Sequence, residues 1–190
     1  GDGVMLRNSA SSTDENTGVG ARSATSSNGD VFLGGNYLEV GISKGGSFGT
    51  SMPAPSDFHS HASGNYDYSV GLLMDGDGWD QGNAPTTGDF FLPGSPEERY
   101  GIAYEIDGAR YQYFVADRRG ISNDGFEVYT TDDSDIENGL LKATVHGVTP
   151  HNVVVENVYS FGVDDKYYRT EVKIINNSGK ELSYVRFFRS

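Results

Sequence analysis

The stretch MDGDGWDQGN, residues 74–83, holds three carboxylates, Asp75, Asp77 and Asp80, and sets the only tryptophan of the chain, Trp79, among them. Like charges held a few ångströms apart repel by about 1 kcal/mol or more per pair at surface-like dielectric. A bound divalent cation reverses that sign. Ca2+ takes about six to eight oxygens, and alternating Asp and Gly let the backbone curl so that several point inward. The spacing is not that of an EF-hand. Asp75 and Asp77 fit its first and third positions, but Trp79 stands at the fifth, Asp80 at the glycine position, and Thr86 where the bidentate glutamate belongs. We read an irregular Ca2+ loop, against the alternative of a solvated Asp-Gly turn. A tryptophan between aspartates is poorly placed for a core, so Trp79 is expected to be exposed, where aromatic rings hold sugars and peptide side chains, against the alternative that it folds back to cover an end of the sandwich.

A second acidic group, Asp132, Asp133, Asp135 and Glu137, lies in TTDDSDIENG, and the same electrostatics make it a candidate second Ca2+ site, against the alternative of an acidic surface turn, which the lack of an aromatic neighbour favours. Asp164 and Asp165 are followed at once by Lys166 and read as an ordinary turn. His59 and His61 have the spacing of two ligands on one side of a strand, but no thiolate accompanies them, and zinc is the weaker reading. For glycoside cleavage, Glu97 or Glu98 would need to pair with Asp80 or Glu105, which nothing in the spacing demands. There is no G-x-S-x-G, phosphate-binding loop or dinucleotide fingerprint, and GGSFGT is followed by no helix that would cradle phosphate.

These residues need elements to position them. Glycine makes up 26 of 190 residues, about twice the usual share, and punctuates runs rich in Tyr, Phe and Val. That pattern predicts an all-β chain, and the absence of any helical period supports it. RYGIAYEIDGARYQYFVAD predicts a tight hairpin, with Asp107-Gly108 in a type I′ turn, Ile102, Tyr104 and Ile106 on one face, and Tyr111, Tyr113 and Val115 on one face. Residues 167–174 alternate as an antiparallel strand with one wet face, placing Tyr168, Thr170, Val172 and Ile174 together. Ten or so strands point to an antiparallel β-sandwich with long surface loops. Residues 8–30 are polar and small, so 1–30 is expected to be a leading strand, near Val4 to Leu6, with a flexible polar segment; 31–190 would be the sandwich. The long loop 45–65 is expected to be functional.

Lys and Arg total 14 against 27 Asp and Glu, a formal net charge of −13. Such an excess repels phosphate backbones and anionic lipid, so neither nucleic acid nor membrane insertion is expected. The chain has no cysteine, which excludes disulfide scaffolds and thiol chemistry. It begins with glycine and shows no signal peptide, and is expected to be a monomeric piece of a longer protein.

VFLGGNYLEVGISKGGSFGT, DGDGWDQGN, GDFFLPGSPEERYGI and ELSYVRFFRS together resemble a module of very large bacterial surface proteins, including calcium-dependent repeats-in-toxin (RTX) adhesins. The resemblance covers roughly residues 31–190. It implies secretion to the cell surface, Ca2+, and adhesion to a peptide or glycan on a host or neighbouring cell. The combined expectation is a Ca2+-dependent, non-enzymatic binding module. Asp75, Asp77 and Asp80 would hold one cation and Asp132, Asp133 and Asp135 another, while Trp79, Asn83, Ser47 and Thr50 would touch the ligand. The rivals are a polysaccharide-acting enzyme or its carbohydrate-binding module, and a spacer stiffened by calcium.

Overall fold

Short runs of aromatic and β-branched residues between glycines bury their side chains by pairing as strands. The structure, a computed structural model, describes residues 6–9, 19–59, 69–79, 89–91, 98–116 and 119–190. Among them are thirteen strands and one 3-10 turn, Ile136–Asn138, and every strand pairing is antiparallel. The first sheet runs in chain order through β1 (Leu6–Ser9), β2 (Arg22–Thr25), β3 (Val31–Gly34), β4 (Leu38–Ile42) and β5 (Leu72–Met74). The remaining strands are β6 (Arg99–Ile106), β7 (Ala109–Ala116), β8 (Ile121–Ser122), β9 (Glu127–Asp132), β10 (Leu140–Val148), β11 (Val153–Gly162), β12 (Arg169–Asn176) and β13 (Ser183–Arg189). They form two four-stranded sheets, ordered β12-β11-β10-β9 and β13-β6-β7-β8. This is the sandwich-like, all-β architecture that the pattern predicts. No helix among the described residues is long and apolar enough to cross a membrane.

All three sheets feed one apolar core, which joins Val31, Leu33, Val40 and Ile42 to Ile102, Tyr104 and Val115 and to Leu141, Val145, Val155 and Phe161. β11 alternates buried and half-buried side chains along its whole length, the period of a strand packed mainly on one face. β3 and β4 are buried without interruption because the first sheet is covered on both faces. Val31 and Leu33 enter the main core, while Phe32 turns to a second cluster with Phe58, Val70, Leu73 and Trp79.

The polar reading of residues 8–30 fails at β2, which pairs residue for residue with β3 and buries Arg22, Ser23 and Ala24. Hydrogen bonding orders this segment where apolar burial could not: the Arg22 guanidinium gains an internal carboxylate and backbone carbonyls. The leading strand is present as β1, while Val4 lies outside the described residues. β12 is antiparallel to β11 as expected, but its apolar face is only half covered. Tyr168 and Ile174 pack on the core, while Val172 is exposed.

The predicted hairpin forms as read. β6 and β7 pair from Arg99↔Ala116 to Ile106↔Ala109, and the turn residues Asp107 and Gly108 have φ of 51° and 80°, the two positive values a type I′ turn needs. A Cβ on Gly108 would meet nothing within 4 Å, so only backbone strain opposes substitution there. Gly108→Val is expected to destabilise the protein by about 1–2 kcal/mol. A urea denaturation midpoint measures this, and an unchanged midpoint would contradict it.

Candidate functional site

The glycine-rich segment Gly45 to Thr50 lies inside the protein, not on its surface. Ser47 and Thr50 are completely buried, which corrects their assignment as ligand contacts. The physical reason is that much of the backbone in and beside this segment is hydrogen-bonded internally, without which a buried loop is too costly. The Asp30 carboxylate accepts from the amides of Lys44, Ser51 and Met52. The hydroxyls of Tyr100 and Tyr159 donate to the carbonyls of Gly45 and Gly46, and the Phe48 amide donates to Glu98. The Ser47 hydroxyl meets that of Ser43, and the Thr50 hydroxyl donates to the Met52 carbonyl while accepting from the Val70 amide. Phe48 is the plug that this loop delivers. It stacks on Phe91 at 4.8 Å, touches the rings of Tyr159 and Tyr168, and has the Arg189 guanidinium 4.7 Å over its own ring.

Behind Phe48, Glu98 Oε1 lies 2.6 Å from Arg189 Nε, both largely buried. Burial pushes the Glu98 carboxyl above its ordinary value, with Arg189 and the Phe48 amide opposing. Burial likewise raises the hydroxyls of Tyr100 and Tyr159, and that of Tyr113 is pushed up to about 12. Asn157 is fully buried with no aligned hydrogen bond among the described residues, although its amide partly offsets the Tyr100 shift. Glu98 is thus committed to an arginine, and Glu105 is held by Arg110 at 2.6 Å. The other carboxylates considered for glycoside cleavage, Glu97 and Asp80, lie outside the described residues.

Trp79 is also buried, with 1% of its surface exposed. The expectation of an exposed ring is overturned because the outer face of the first sheet needs a cover. The indole donates from Nε1 to the Gly35 carbonyl at 3.0 Å and stacks on His59 at 4.2 Å. His59 in turn is fixed by Glu39, whose carboxylate accepts from the His59 amide and lies 2.8 Å from its Nδ1. Arg22 donates to the same carboxylate and to the carbonyls of Gly20, Gly35 and Asp57, with its guanidinium over Phe58. Gly34 is required here, since a Cβ would lie 2.9 Å from the Arg22 guanidinium carbon. His61 and Asn83 lie outside the described residues.

The acidic turn itself is built on Asp75. Its Oδ1 accepts from the Asp77 amide at 3.1 Å, and its own amide donates to the Tyr37 carbonyl. A second acidic turn meets it through Asn36, whose side chain donates to Asp164 and whose amide donates to Val163. Lys166 from that turn donates to the Gly76 carbonyl and lies over the Tyr37 ring. In the other acidic cluster the carboxylates turn to separate local partners. Asp132 accepts from the Ser134 amide, Asp133 from Thr144, and Asp135 from Asn138. Among the described residues no three His, Asp or Glu side chains are grouped to hold a metal ion.

An open groove of about 490 Å³ lies over β13, β6 and β7, lined by Ala103, Tyr104, Glu105, Arg110, Tyr111, Gln112, Tyr184 and Arg186. Strand alternation builds it. Ile102, Tyr104 and Ile106 of β6 face the core, so Ala103 and Glu105 face away. Register then sets Arg186, Ala103 and Gln112 in one row, with Glu105 opposite Arg110 in the next. The small Ala103 makes the floor between longer side chains. At the rim β13 loses register between Ser183 and Arg186, and Tyr184 in that bulge has φ of 51° with 72% of its surface exposed. Bulges re-aim side chains, and a bulky residue held in the left-handed region is strained by about 1–3 kcal/mol. The alternation of the hairpin was a usable signal for this face, but the bulge that offers Tyr184 leaves no mark in the sequence.

No protein-family model matches the chain, and comparisons with curated proteins and with solved structures find no match.

Trp79→Ala is expected to destabilise the protein by about 3–5 kcal/mol, the usual cost of emptying a buried tryptophan site. A denaturant midpoint decides this, and near-native stability in the mutant would mean that the ring is not part of the core.

Proposed function

We propose that the chain is a non-enzymatic ligand-binding module whose ligand, a glycan or peptide, lies in the groove over β6, β7 and β13. The observation that carries this is an exposed ring, Tyr184, held in strained backbone above a floor lined by Gln112, Arg186 and Glu105. The groove falls within the roughly 300–1,000 Å³ of ligand sites, and aromatic and arginine side chains are the usual anchors of an interface. Its floor is a paired sheet, which holds side chains more firmly than a loop does. Binding without catalysis is favoured because Glu105, the carboxylate in the groove lining, is engaged by Arg110, while Glu98 is buried away from the groove against Arg189. With the resemblance of its sequence to modules of bacterial surface adhesins, this reading places the protein outside the cell, attaching it to a host or neighbouring cell. A glycan and peptide array tests it. The wild type should retain a probe that Gln112→Trp, which fills the groove from an exposed position, loses while its denaturation midpoint moves by less than about 0.5 kcal/mol. Retention of the probe by the mutant would sink the groove.

Ca2+ belongs to the same proposal, at the turn of Asp75, Asp77 and Asp80. Its support is charge: the two acidic turns joined at Asn36 bring Asp75, Asp77, Asp164 and Asp165 to one end of the sheet, where Lys166 supplies one positive charge. A cation that binds only the folded state stabilises it by about 2.7 kcal/mol at a hundredfold excess over its dissociation constant. Millimolar Ca2+ should therefore raise the melting temperature and a chelator should reverse the gain. A melting curve indifferent to both would remove calcium from the proposal.

A further inference from the structure

Resting on the reading that the groove binds a ligand, we infer that this ligand is an acidic saccharide, with a sugar ring on Tyr184 and its carboxylate on Arg186. The chain carries a net charge of −13, which disfavours anions overall, but the groove lining sets two guanidiniums, Arg110 and Arg186, against one carboxylate, Glu105. Several cations around this sheet are already paired with carboxylates. Arg110 is paired with Glu105, Arg189 with Glu98, and Lys180 with Asp107. Arg99 and Arg186 are not: both are exposed with no carboxylate partner among the described residues, and of the two it is Arg186 that lines the groove. An unpaired guanidinium is a planar fork of donors that fits a carboxylate at two points.

The rest of the lining suits a sugar. Gln112 and Glu105 offer an amide and a carboxylate to hydroxyl groups, and Ala103 leaves a low floor between them. Tyr184 presents a ring face at the rim, where a pyranose can lie flat against it. An extended peptide is less suited. Added as a strand it would need a regular edge on β13, and the register shift between Ser183 and Arg186 interrupts that edge. A neutral sugar would leave Arg186 without a role.

The experiment is calorimetric titration with a galacturonate oligosaccharide, its fully methyl-esterified form, and an oligoglutamate of similar charge. Each is titrated into the wild type, Tyr184→Gly, Arg186→Gln and Arg186→Lys. The expected result is binding of the free uronate alone. Tyr184→Gly should lose affinity about tenfold or more with a melting temperature unchanged or raised, because glycine accepts the φ of 51° that strains tyrosine. Arg186→Gln should lose as much, and Arg186→Lys should recover only part, since an ammonium cannot grip a carboxylate at two points. Equal binding of the esterified sugar, unaffected by Arg186→Gln but lost in Tyr184→Gly, would overturn the acidic class while leaving the groove standing. Oligoglutamate binding with the same dependence on both residues would overturn the saccharide. No binding of any of the three, or uronate binding indifferent to both substitutions, would overturn the inference outright.

Discussion

Burial of the segment Gly45 to Thr50 is the constraint on which the rest depends. A loop that pairs with β4 only through the Ile42–Phe48 bridge carries further amides and carbonyls that cost free energy when removed from water. Here a carboxylate, two tyrosine hydroxyls and a glutamate are spent on it, drawn from Asp30 before β3, from β6 and β11, and from Glu98. These bonds tie the first sheet to both others through one short piece of chain. The glycines have no freedom in this. A Cβ on Gly45 would lie 2.3 Å from the Gly120 carbonyl oxygen, and one on Gly46 the same distance from Val145. What looks in composition like a flexible loop is a segment buried from Gly45 to Thr50.

The ion pair of Glu98 and Arg189 follows from that loop. Glu98 is fixed by the Phe48 amide, and Arg189 brings the end of β13 over the rings of Phe48 and Tyr159. A buried pair of this kind is weak evidence for stability, since desolvation opposes attraction, but removing one partner leaves an uncompensated charge. Its effect is positional. It anchors β13 at its last residues, while the strand departs from register further back, at Ser183 to Arg186. The bulge that raises Tyr184 thus sits between a paired start and an anchored end.

The first sheet meets its outer face with a different device. Glu39 lies on the face of β4 opposite Val40, where a strand of one-sided pattern would be solvated. It is buried instead, shared between Arg22 and His59, and Trp79 closes over His59. The acidic residues around Trp79 therefore flank a lid on a polar cluster. Among the described residues the face of β6 and β7 has no such cover over Ala103, and the open groove lies there.

The sequence by itself determined the local elements. Alternation in residues 99–116 set Ile102, Tyr104 and Ile106 on one face and Tyr111, Tyr113 and Val115 on one face, which pack on the core, and Asp107-Gly108 required a type I′ turn, because both depend on neighbours within a few residues. The all-β class followed from the same short-range preferences. The sequence misplaced Trp79, Ser47 and Thr50, since polar neighbours along the chain say nothing about neighbours in space. Glu39, 17 residues from Arg22 and 20 from His59, finds its partners only when β2 and β4 join one sheet. Likewise Arg22 makes a strand of a segment too polar to order itself. Only tertiary structure decides which loops are plugs and which faces stay open, because that choice depends on where long-range hydrogen bonds can be completed.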